Sequence, residues 1–343
     1  MAERYFGVAL FGLGRAGTIH FHNLRRSQRA ELLYIIEADV EKAQQMAQQY
    51  RTKDVTVLPP EESAKAIQDP RVEAVVIATP TFTHQATVLQ AVESGKAVFC
   101  EKPVAQNAEE TKKCYEAAIA KEVPLLCSFN RRYDPTIMEV KERLGEVGKL
   151  HLVKTCARDH PRPPNSYLSI SGGFFHDCAV HDLDLVCWMV GAYPSEVHAY
   201  SHVYDTDIKA MNDVDTVIMT LKFANGILAV VDISRHACYG YDQRVELYGD
   251  KGMIQSNNQK STSIASFSDK GSQTEKYKHS FPQRYAESYV NALDNFFDIL
   301  EGKRQADVTK ESTLEISRLA SACEESSKTG KNIIMADFVE TCH

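Results

Sequence analysis

Residues 6–17, FGVALFGLGRAG, decide the predicted fold. The short apolar run VALF is typical of a buried strand, and the glycines that follow it fit the pattern G-x-G-x-x-G at the start of a helical stretch. In a dinucleotide site one glycine makes the tight turn, one lets backbone approach a pyrophosphate, and one permits close helix–strand packing. The pattern therefore predicts nucleotide contacts from Gly12, Gly14, Arg15, Ala16 and Gly17. The N-terminus of the helix would offer unpaired N–H groups to the phosphates.

A carboxylate follows the glycines at the distance that ribose recognition requires. Glu37 lies 20 residues beyond Gly17, at the end of the second predicted strand, where it would accept hydrogen bonds from the adenosine ribose. Asp39 adds a second negative charge, and residue 38 is Ala rather than Arg. Because two carboxylates repel a 2′-phosphate, the sequence predicts NAD as the cofactor and disfavours NADP.

Short apolar strands alternate with helical stretches through the first third of the chain, which indicates a parallel sheet covered on both faces. The predicted strands are Phe6–Leu10, Leu32–Ile36, Val55–Leu58, Ala74–Ala78, Ala97–Cys100 and Pro124–Ser128. The predicted helices are Arg15–Arg26, Val40–Tyr50, His84–Ser94 and Asn107–Lys121. This order predicts a doubly wound Rossmann sheet in an NAD-binding domain over residues 1–128.

The pattern changes after about residue 128. Longer strands are predicted at Leu150–Arg158, Glu196–Tyr204, Val214–Phe223, Ile227–Ser234 and Arg244–Gly249, followed by helices at about Tyr285–Glu301 and Thr309–Lys328. Asn225-Gly226 between two strands is a hairpin signal. Residues 129–343 are therefore predicted to form a substrate-binding α+β domain with a large, mostly antiparallel sheet, and the whole chain is α/β. The polar stretch Ser256–Lys278 is expected to be a solvated edge.

Composition limits the classes of function. The 343 residues are 43% hydrophobic and 25% charged, the balance of a soluble globular enzyme, and the net charge of -7 argues against a nucleic-acid partner. No window approaches the roughly 20 apolar residues of a membrane span, and the N-terminus does not resemble a signal peptide. The nine cysteines form no C-x-x-C pair. We expect a cytoplasmic protein with reduced thiols and no membrane partner.

Polar residues follow the fourth and fifth strands, at the edge where open α/β sheets bind ligands. Ala78-Thr79-Pro80 ends the fourth strand, and Glu101-Lys102-Pro103 ends the fifth. An ammonium group in this position can polarise a substrate oxygen.

Residues 172–188, GGFFHDCAVHDLDLVCW, have helical spacing after the two glycines. Asp177 and His181 are i and i+4, hence on one face, and Asp184 continues that face. The imidazole is a natural base near neutral pH. A zinc site is not expected, because one helix cannot aim all the His and Asp side chains of this stretch at one ion and no cysteine pair supports it.

Several of these stretches occur together in one known family. VALFGLGRAGTIH, IIEADVEKA, IATPTFTH, SGKAVFCEKP, FNRRYDP and GGFFHDCAVHDLDLVCWMVG run in this order, and YGYDQRVELYGDKG extends the match far into the second domain. The chain resembles the glucose-fructose oxidoreductase/inositol dehydrogenase/rhizopine catabolism protein superfamily (Gfo/Idh/MocA) over essentially its whole length. Within the superfamily, inositol 2-dehydrogenases look most similar.

The resemblance implies a catalytic set of Lys102, Asp177 and His181. His181 would take the proton of the reacting hydroxyl as hydride leaves the same carbon, Lys102 would stabilise charge on the oxygen, and Asp177 would orient both. The ammonium and the imidazole are expected to meet over one nicotinamide ring. Besides the glycine loop and Glu37, the implied cofactor contacts are Thr79, Pro80, His84, Glu101 and Lys102. The implied substrate contacts are Lys102, Asp159, Asp177, His181, Asp184 and Tyr241.

The expected function is NAD-dependent oxidation of a secondary alcohol of a cyclic polyol or sugar. Alternatives are a reductase or dehydrogenase for another carbonyl, imine or diol, and a non-catalytic NAD-sensing regulatory protein. The chain departs from the family at Thr81, where P-N-x-x-H has Asn, and at Arg158-Asp159-His160, which differs from the bacterial inositol enzymes. The resemblance also implies that the open face of the second sheet joins subunits, as a homodimer or homotetramer.

Overall fold

The computed structural model describes residues 5–52 and 54–339, and this part of the chain falls into two compact units. One unit runs to Asn130 and takes in Glu287–Leu314; the other comprises Arg131–Ala286 and the chain from Glu315 onward. No helix within the described ranges is long and apolar enough to cross a membrane. The eight cysteines described are free, and Cys342 lies outside the described residues.

The first unit is built on a parallel sheet of six strands. Its elements are β1 Phe6–Phe11, α1 Arg15–Arg26, β2 Ala30–Ile36, α2 Val40–Gln49, β3 Thr56–Leu58, α3 Ser63–Gln68, β4 Ala74–Ile77, α4 His84–Glu93, β5 Ala97–Glu101, α5 Ala108–Ala120 and β6 Leu125–Ser128. The strand order is β3-β2-β1-β4-β5-β6, and all neighbours are parallel. This order places the topological switch point between β1 and β4. Every residue of β1, β4, β5 and β6 is buried, as a sheet with two covered faces requires. The predicted doubly wound fold is confirmed.

A late segment of the chain returns to this unit. The predicted domain division at residue 128 assigned everything after it to the second domain, whereas the structure places Glu287–Leu314 in the first unit. The rings of Phe6 and Phe297 stack 5.4 Å apart. Arg29 also pairs with Glu301 at 2.9 Å. Aromatic packing and an ion pair therefore join the returning segment to the first unit.

The second unit contains a mixed sheet of seven strands. The elements after β6 are α6 Pro135–Glu142, β7 Leu150–Arg158, α7 Asn165–Leu168, α8 Val180–Val190, β8 Glu196–His202, α9 Thr206–Ala210, β9 Thr216–Lys222, β10 Leu228–Ser234, β11 Asp242–Gly249, β12 Met253–Ser256, β13 Ala265–Ser268, β14 Gly271–Thr274, α10 Phe281–Arg284, α11 Ala286–Leu300, α12 Lys310–Thr329 and β15 Ile333–Ile334. The order is β12-β11-β7-β10-β9-β8-β15. Only the β7–β10 pair is parallel among these strands, so the predicted, mostly antiparallel sheet is confirmed.

Burial alternates along the strands of this second sheet. In β9, Val217, Met219 and Leu221 are buried while the residues between them are exposed. The sheet therefore covers a core with one face and leaves the other face open. The polar stretch expected at the edge forms the β13–β14 hairpin, and all eight of its strand residues are exposed.

Candidate active site

The three glycines of the loop after β1 have three different surroundings. A Cβ added at Gly12, whose φ is +90°, would lie 2.6 Å from the carbonyl oxygen of Ala78. A Cβ at Gly17 would lie 2.1 Å from the carbonyl oxygen of Gly12. A Cβ at Gly14 would meet nothing within 4 Å. Gly12 and Gly17 are thus required by the protein's own packing, whereas the absence of a side chain at Gly14 leaves space next to the loop. The loop fits a dinucleotide pyrophosphate.

The start of α1 suits an anion. Gly14 is the N-cap, the first turn holds no acidic residue, and no described side chain caps the helix. The positive end of the helix dipole at this turn therefore favours a negatively charged ligand. Arg15 and Ala16 belong to this turn, and Arg15 is exposed. These two predicted cofactor residues lie where phosphates would bind.

Glu37 is fixed against the glycine loop. Its Oε2 accepts a hydrogen bond from the Leu13 N–H at 2.5 Å, and its Oε1 accepts one from the Asp39 N–H at 3.1 Å. The Leu13 carbonyl in turn accepts from Lys42 Nζ at 2.9 Å. Each carboxylate oxygen keeps a further lone pair for a hydroxyl. Glu37 is therefore held in the place predicted for ribose recognition.

His84 joins the loops that follow β4 and β5. Its Nδ1 lies 2.7 Å from the Pro103 carbonyl oxygen and its Nε2 lies 2.8 Å from that of Thr79. Burial lowers the pKa of the imidazole, although the two carbonyls favour its protonated form. The side chain thus fixes the position of Thr79, next to Pro80, and of Pro103, next to Lys102.

The two charged residues at the end of β5 differ in their environment. Glu101 is buried, and its carboxylate oxygen lies 2.7 Å from His20 Nε2 on α1. Lys102 is only half-buried. Glu101, predicted as a cofactor contact, is therefore engaged with α1 inside the first unit. Its role toward the cofactor stays a prediction.

The helix predicted to carry Asp177 and His181 changes its form between them. Phe175–Ala179 is a five-residue π-helix, and α8 begins at Val180. The prediction of one regular α-helical face from Asp177 onward is wrong over this first turn, because a π turn closes i→i+5 hydrogen bonds and takes more residues per turn than an α-helix. Such turns are frequent at functional sites. Asp177 lies in the π turn, and the half-buried His181 lies in the first turn of α8.

Asp177 has two hydrogen-bond donors that the sequence reasoning missed. Its Oδ1 accepts from the Tyr167 hydroxyl at 2.6 Å, and its Oδ2 accepts from Arg235 Nη1 at 2.7 Å. The Arg235 guanidinium also lies 5.2 Å from the centroid of the Phe174 ring. Arg235 is the first residue after β10, where a charged residue is usually solvated. Its position therefore gave no signal of burial.

Asp159 lies near the same arginine, and Tyr241 lies near Asp159. Although burial opposes it, neighbouring anionic groups that include Asp177 and Asp159 raise the pKa of Arg235. Burial raises the pKa of Tyr241 well above its usual value, and the charge of Asp159 adds to this effect. Tyr241 therefore keeps its hydroxyl proton at neutral pH. Two predicted substrate contacts, Asp177 and Asp159, therefore lie near Arg235, and a third, Tyr241, lies near Asp159.

Asp184 has a different partner. Its two carboxylate oxygens accept from Arg132 Nη2 at 2.5 Å and Nε at 2.9 Å, and both residues are buried. This is the bidentate geometry of a strong internal ion pair. Asp182 accepts similarly from Arg131 Nη1 at 2.7 Å. The prediction that Asp184 contacts substrate stays a prediction, and the ion pair supplies a structural role for it.

Both units match known protein families in their sequence. Residues 6–129 match the family described as "Oxidoreductase family, NAD-binding Rossmann fold", and residues 141–335 match its "C-terminal alpha/beta domain". The chain belongs to this Gfo/Idh/MocA oxidoreductase family. Its first domain is an NAD-binding Rossmann domain, so the predicted family and the predicted cofactor are confirmed.

Family members named for inositol are among the similar proteins. The chain is 35% identical to the myo-inositol 2-dehydrogenase of Thermotoga maritima over 292 residues, 84% of this chain and 86% of that one. It is 34% identical to the inositol 2-dehydrogenase of Rhizobium meliloti over 295 residues, 85% and 88% of the two chains. The crystal structure of a myo-inositol dehydrogenase from Corynebacterium glutamicum superposes with a TM-score of 0.88 at 31% identity, covering 96% of this chain and 98% of that one. The protein is an oxidoreductase with inositol dehydrogenases among its relatives.

Proposed function

We propose that the protein is an NAD-dependent dehydrogenase for a secondary alcohol of a cyclic polyol, of the inositol type. The observation that carries the proposal is the hydrogen-bonded group of Tyr167, Asp177 and Arg235 in a chain whose first unit has a dinucleotide loop. An uncharged polyol is recognised by many directional hydrogen bonds, and this group offers both donors and acceptors. The inositol dehydrogenases among the relatives support the same class of substrate.

The reaction converts the alcohol to a ketone, with NADH and a proton as the other products. Bound NAD⁺ supplies the acceptor for the hydride that leaves the carbinol carbon. An imidazole nitrogen of His181 takes the hydroxyl proton. The ammonium group of Lys102 donates a hydrogen bond to the same oxygen as negative charge develops on it. Asp177 keeps these groups in orientation.

The same proposal includes a preference for NAD⁺ over NADP⁺. The carboxylate of Glu37 lies at the glycine loop, and Asp39 places a second carboxylate two residues away. A 2′-phosphate bound there would be repelled, whereas a ribose hydroxyl would donate a hydrogen bond to Glu37.

Steady-state assays on a panel of inositols and hexoses test the function. Purified protein is mixed with NAD⁺ or NADP⁺, and formation of the reduced cofactor is followed by absorbance. We expect turnover of at least one cyclic polyol, with kcat/KM roughly tenfold or more lower for NADP⁺, since one unfavourable charge contact costs on the order of 1.4 kcal/mol. Glu37→Ala should reduce this preference.

Two outcomes would contradict the proposal. Binding of NAD⁺ with no turnover of any polyol would favour an NAD-sensing protein. Turnover confined to ketones or imines, measured as oxidation of added NADH, or confined to open-chain diols with NAD⁺, would keep the oxidoreductase and reject the cyclic polyol. An equal kcat/KM with both cofactors would reject only the role given to Glu37.

We further propose that the open face of the second sheet joins copies of this chain into a homodimer or homotetramer. Its exposed large apolar side chains include Tyr200, Ile218, Leu228, Tyr248 and Met253. Leu228 lies opposite Leu152, Leu152 opposite Tyr248, and Tyr248 opposite Met253. A row of this kind across four strands is an unusual surface for a monomer.

Introducing charge into this row should dissociate the oligomer. We expect light scattering to give a multiple of the 38.4 kDa chain mass for the wild type and a lower multiple for the double variant Leu228→Lys/Tyr248→Lys. Ile119→Lys, at an exposed isoleucine on α5, is the matched control and should leave the mass unchanged. A monomeric wild type, or a double variant of unchanged mass, would contradict the interface.

A further inference from the structure

Arg235 is among the largest side chains that are fully buried in the described chain. Its exposed fraction is 2%, and Nη1 donates to Asp177 Oδ2 at 2.7 Å. Removing a guanidinium from water costs several kcal/mol, so a buried arginine needs good partners. Arg132 in the same unit has such a partner in the bidentate carboxylate of Asp184.

The hydrogen bonds of Arg235 are much less complete. Its Nε and Nη2 are buried and have no hydrogen-bond partner among the described residues. Phe174 packs against the guanidinium and cannot accept these N–H groups in the manner of an oxygen. The Arg132–Asp184 pair is bidentate. In the part of the chain that the structure describes, the buried Arg284 leaves only Nε without a partner, whereas Arg235 leaves both Nε and Nη2. The incomplete pairing of Arg235 points to a function.

The other end of the Asp177 carboxylate is held as well. The Tyr167 hydroxyl donates to Oδ1 at 2.6 Å, and Tyr167 belongs to α7. Donors from two separate elements thus hold a carboxylate that lies in the π turn. Two hydrogen bonds, one of them from a cation, stabilise the ionised form and fix the side-chain rotamer.

We propose that Arg235 is a positioning residue for hydride transfer. Arg235 acts through Asp177: it keeps the Asp177 side chain ionised and in the orientation that the reacting groups require. Tyr167 completes the same arrangement from the opposite oxygen. The inference rests on the proposed function, since it assigns Arg235 a task within that reaction. The role of Arg235 thus differs from the roles of Lys102 and His181, which are proposed to act on the substrate directly.

Replacing the guanidinium tests the assignment. Arg235→Met removes the charge and the donors, and we expect kcat to fall roughly 10- to 100-fold as the buried carboxylate loses its partner. The Kd of NAD⁺, measured by fluorescence titration, should remain within about twofold, because the glycine loop is untouched. Arg235→Lys keeps a donor and a charge and should recover part of the lost kcat.

Arg284→Met is the matched control. Arg284 is equally buried in the same unit, and its Nη1 pairs with Asp134 at 2.6 Å. Both methionine variants should lower the midpoint of thermal unfolding by a similar amount. Only Arg235→Met should lower kcat, and the same fall in both variants would show a general loss of structure and overturn the proposal.

A double-mutant cycle decides whether Arg235 acts through Asp177. In an Asp177→Asn background, Arg235→Met should reduce kcat no further; independent, multiplicative losses would overturn the proposal. If Arg235→Met does not fold, the same cycle with Asp177→Asn can be measured with Arg235→Lys or with Tyr167→Phe, since Tyr167 is only half-buried. A wild type that turns over no polyol overturns the proposed function and this inference with it. An active wild type whose Arg235 variants retain full kcat overturns the inference alone.

Discussion

Lys102→Met and His181→Gln are each expected to lower kcat roughly 1,000-fold, the scale of a lost acid–base or charge-stabilising group. Both side chains are half-buried rather than part of a core, so the variants should fold. For His181→Gln the Kd of NAD⁺ should change little, because the glycine loop and Glu37 are unaltered; for Lys102→Met it should rise, since Lys102 is also an implied cofactor contact. Stopped-flow or steady-state assays with the best polyol of the panel, together with fluorescence titration of NAD⁺, would measure both quantities.

A double variant at Lys102 and His181, and a control variant at the buried Lys96, complete this experiment. If Lys102 and His181 act on one hydroxyl, Lys102→Met/His181→Gln should be barely slower than either single variant, since groups that act as a unit are not additive. Lys96→Met is the control: the Lys96 ammonium donates to the carbonyls of Asp69 and Val72 inside the first unit. It should lose stability and keep its kcat. Single variants as fast as the wild type would refute the assigned roles.

Gly17→Ala and Gly14→Ala should separate folding from cofactor binding. A methyl group at Gly17 would lie 2.1 Å from the Gly12 carbonyl oxygen. Because this oxygen belongs to the backbone, relieving the clash requires the glycine loop or α1 to move. We expect a loss of about 3 kcal/mol in the free energy of unfolding, the upper range for forced overpacking, and no measurable NAD⁺ binding. Differential scanning calorimetry and titration calorimetry would record the two effects.

Gly14→Ala is predicted to behave differently. Its φ of -68° suits any residue, and the added methyl would meet no protein atom within 4 Å. The unfolding midpoint should therefore match that of the wild type, while affinity for NAD⁺ falls because the methyl enters the space left for the pyrophosphate. Unchanged affinity in this variant would show that phosphate does not approach the loop at Gly14.

The parts of the fold that were predicted correctly rest on local constraints. The buried strand β1, the glycine turn and Glu37 lie within about 30 residues, and each is specified by residue type and spacing. The turn between β9 and β10 was likewise signalled by Asn225-Gly226, and Gly226 has a φ of +88°. Local patterns were sufficient to predict the six strands of the first sheet and five of the seven strands of the second, but not β12 and β15.

The features that were missed depend on contacts between residues that are far apart in the sequence. The helical pattern at about Tyr285–Glu301 predicted the helix, but not that Glu287–Leu314 would pack in the first unit. Arg235 and Asp177 are 58 residues apart, and Arg132 and Asp184 are 52 apart. Spacing within one helix cannot reveal such partners. The π turn was missed because the argument from i and i+4 assumes a regular α-helix.

The return of Glu287–Leu314 makes the nucleotide domain discontinuous in sequence, with Arg131–Ala286 of the second unit lying between its two segments. A fragment that stops near Asn130 would lack the stacking partner of Phe6 and would present an uncovered aromatic surface to water. Expression of the cofactor domain alone, or its exchange with that of a relative, therefore requires both segments, joined by a designed connection in place of residues 131–286.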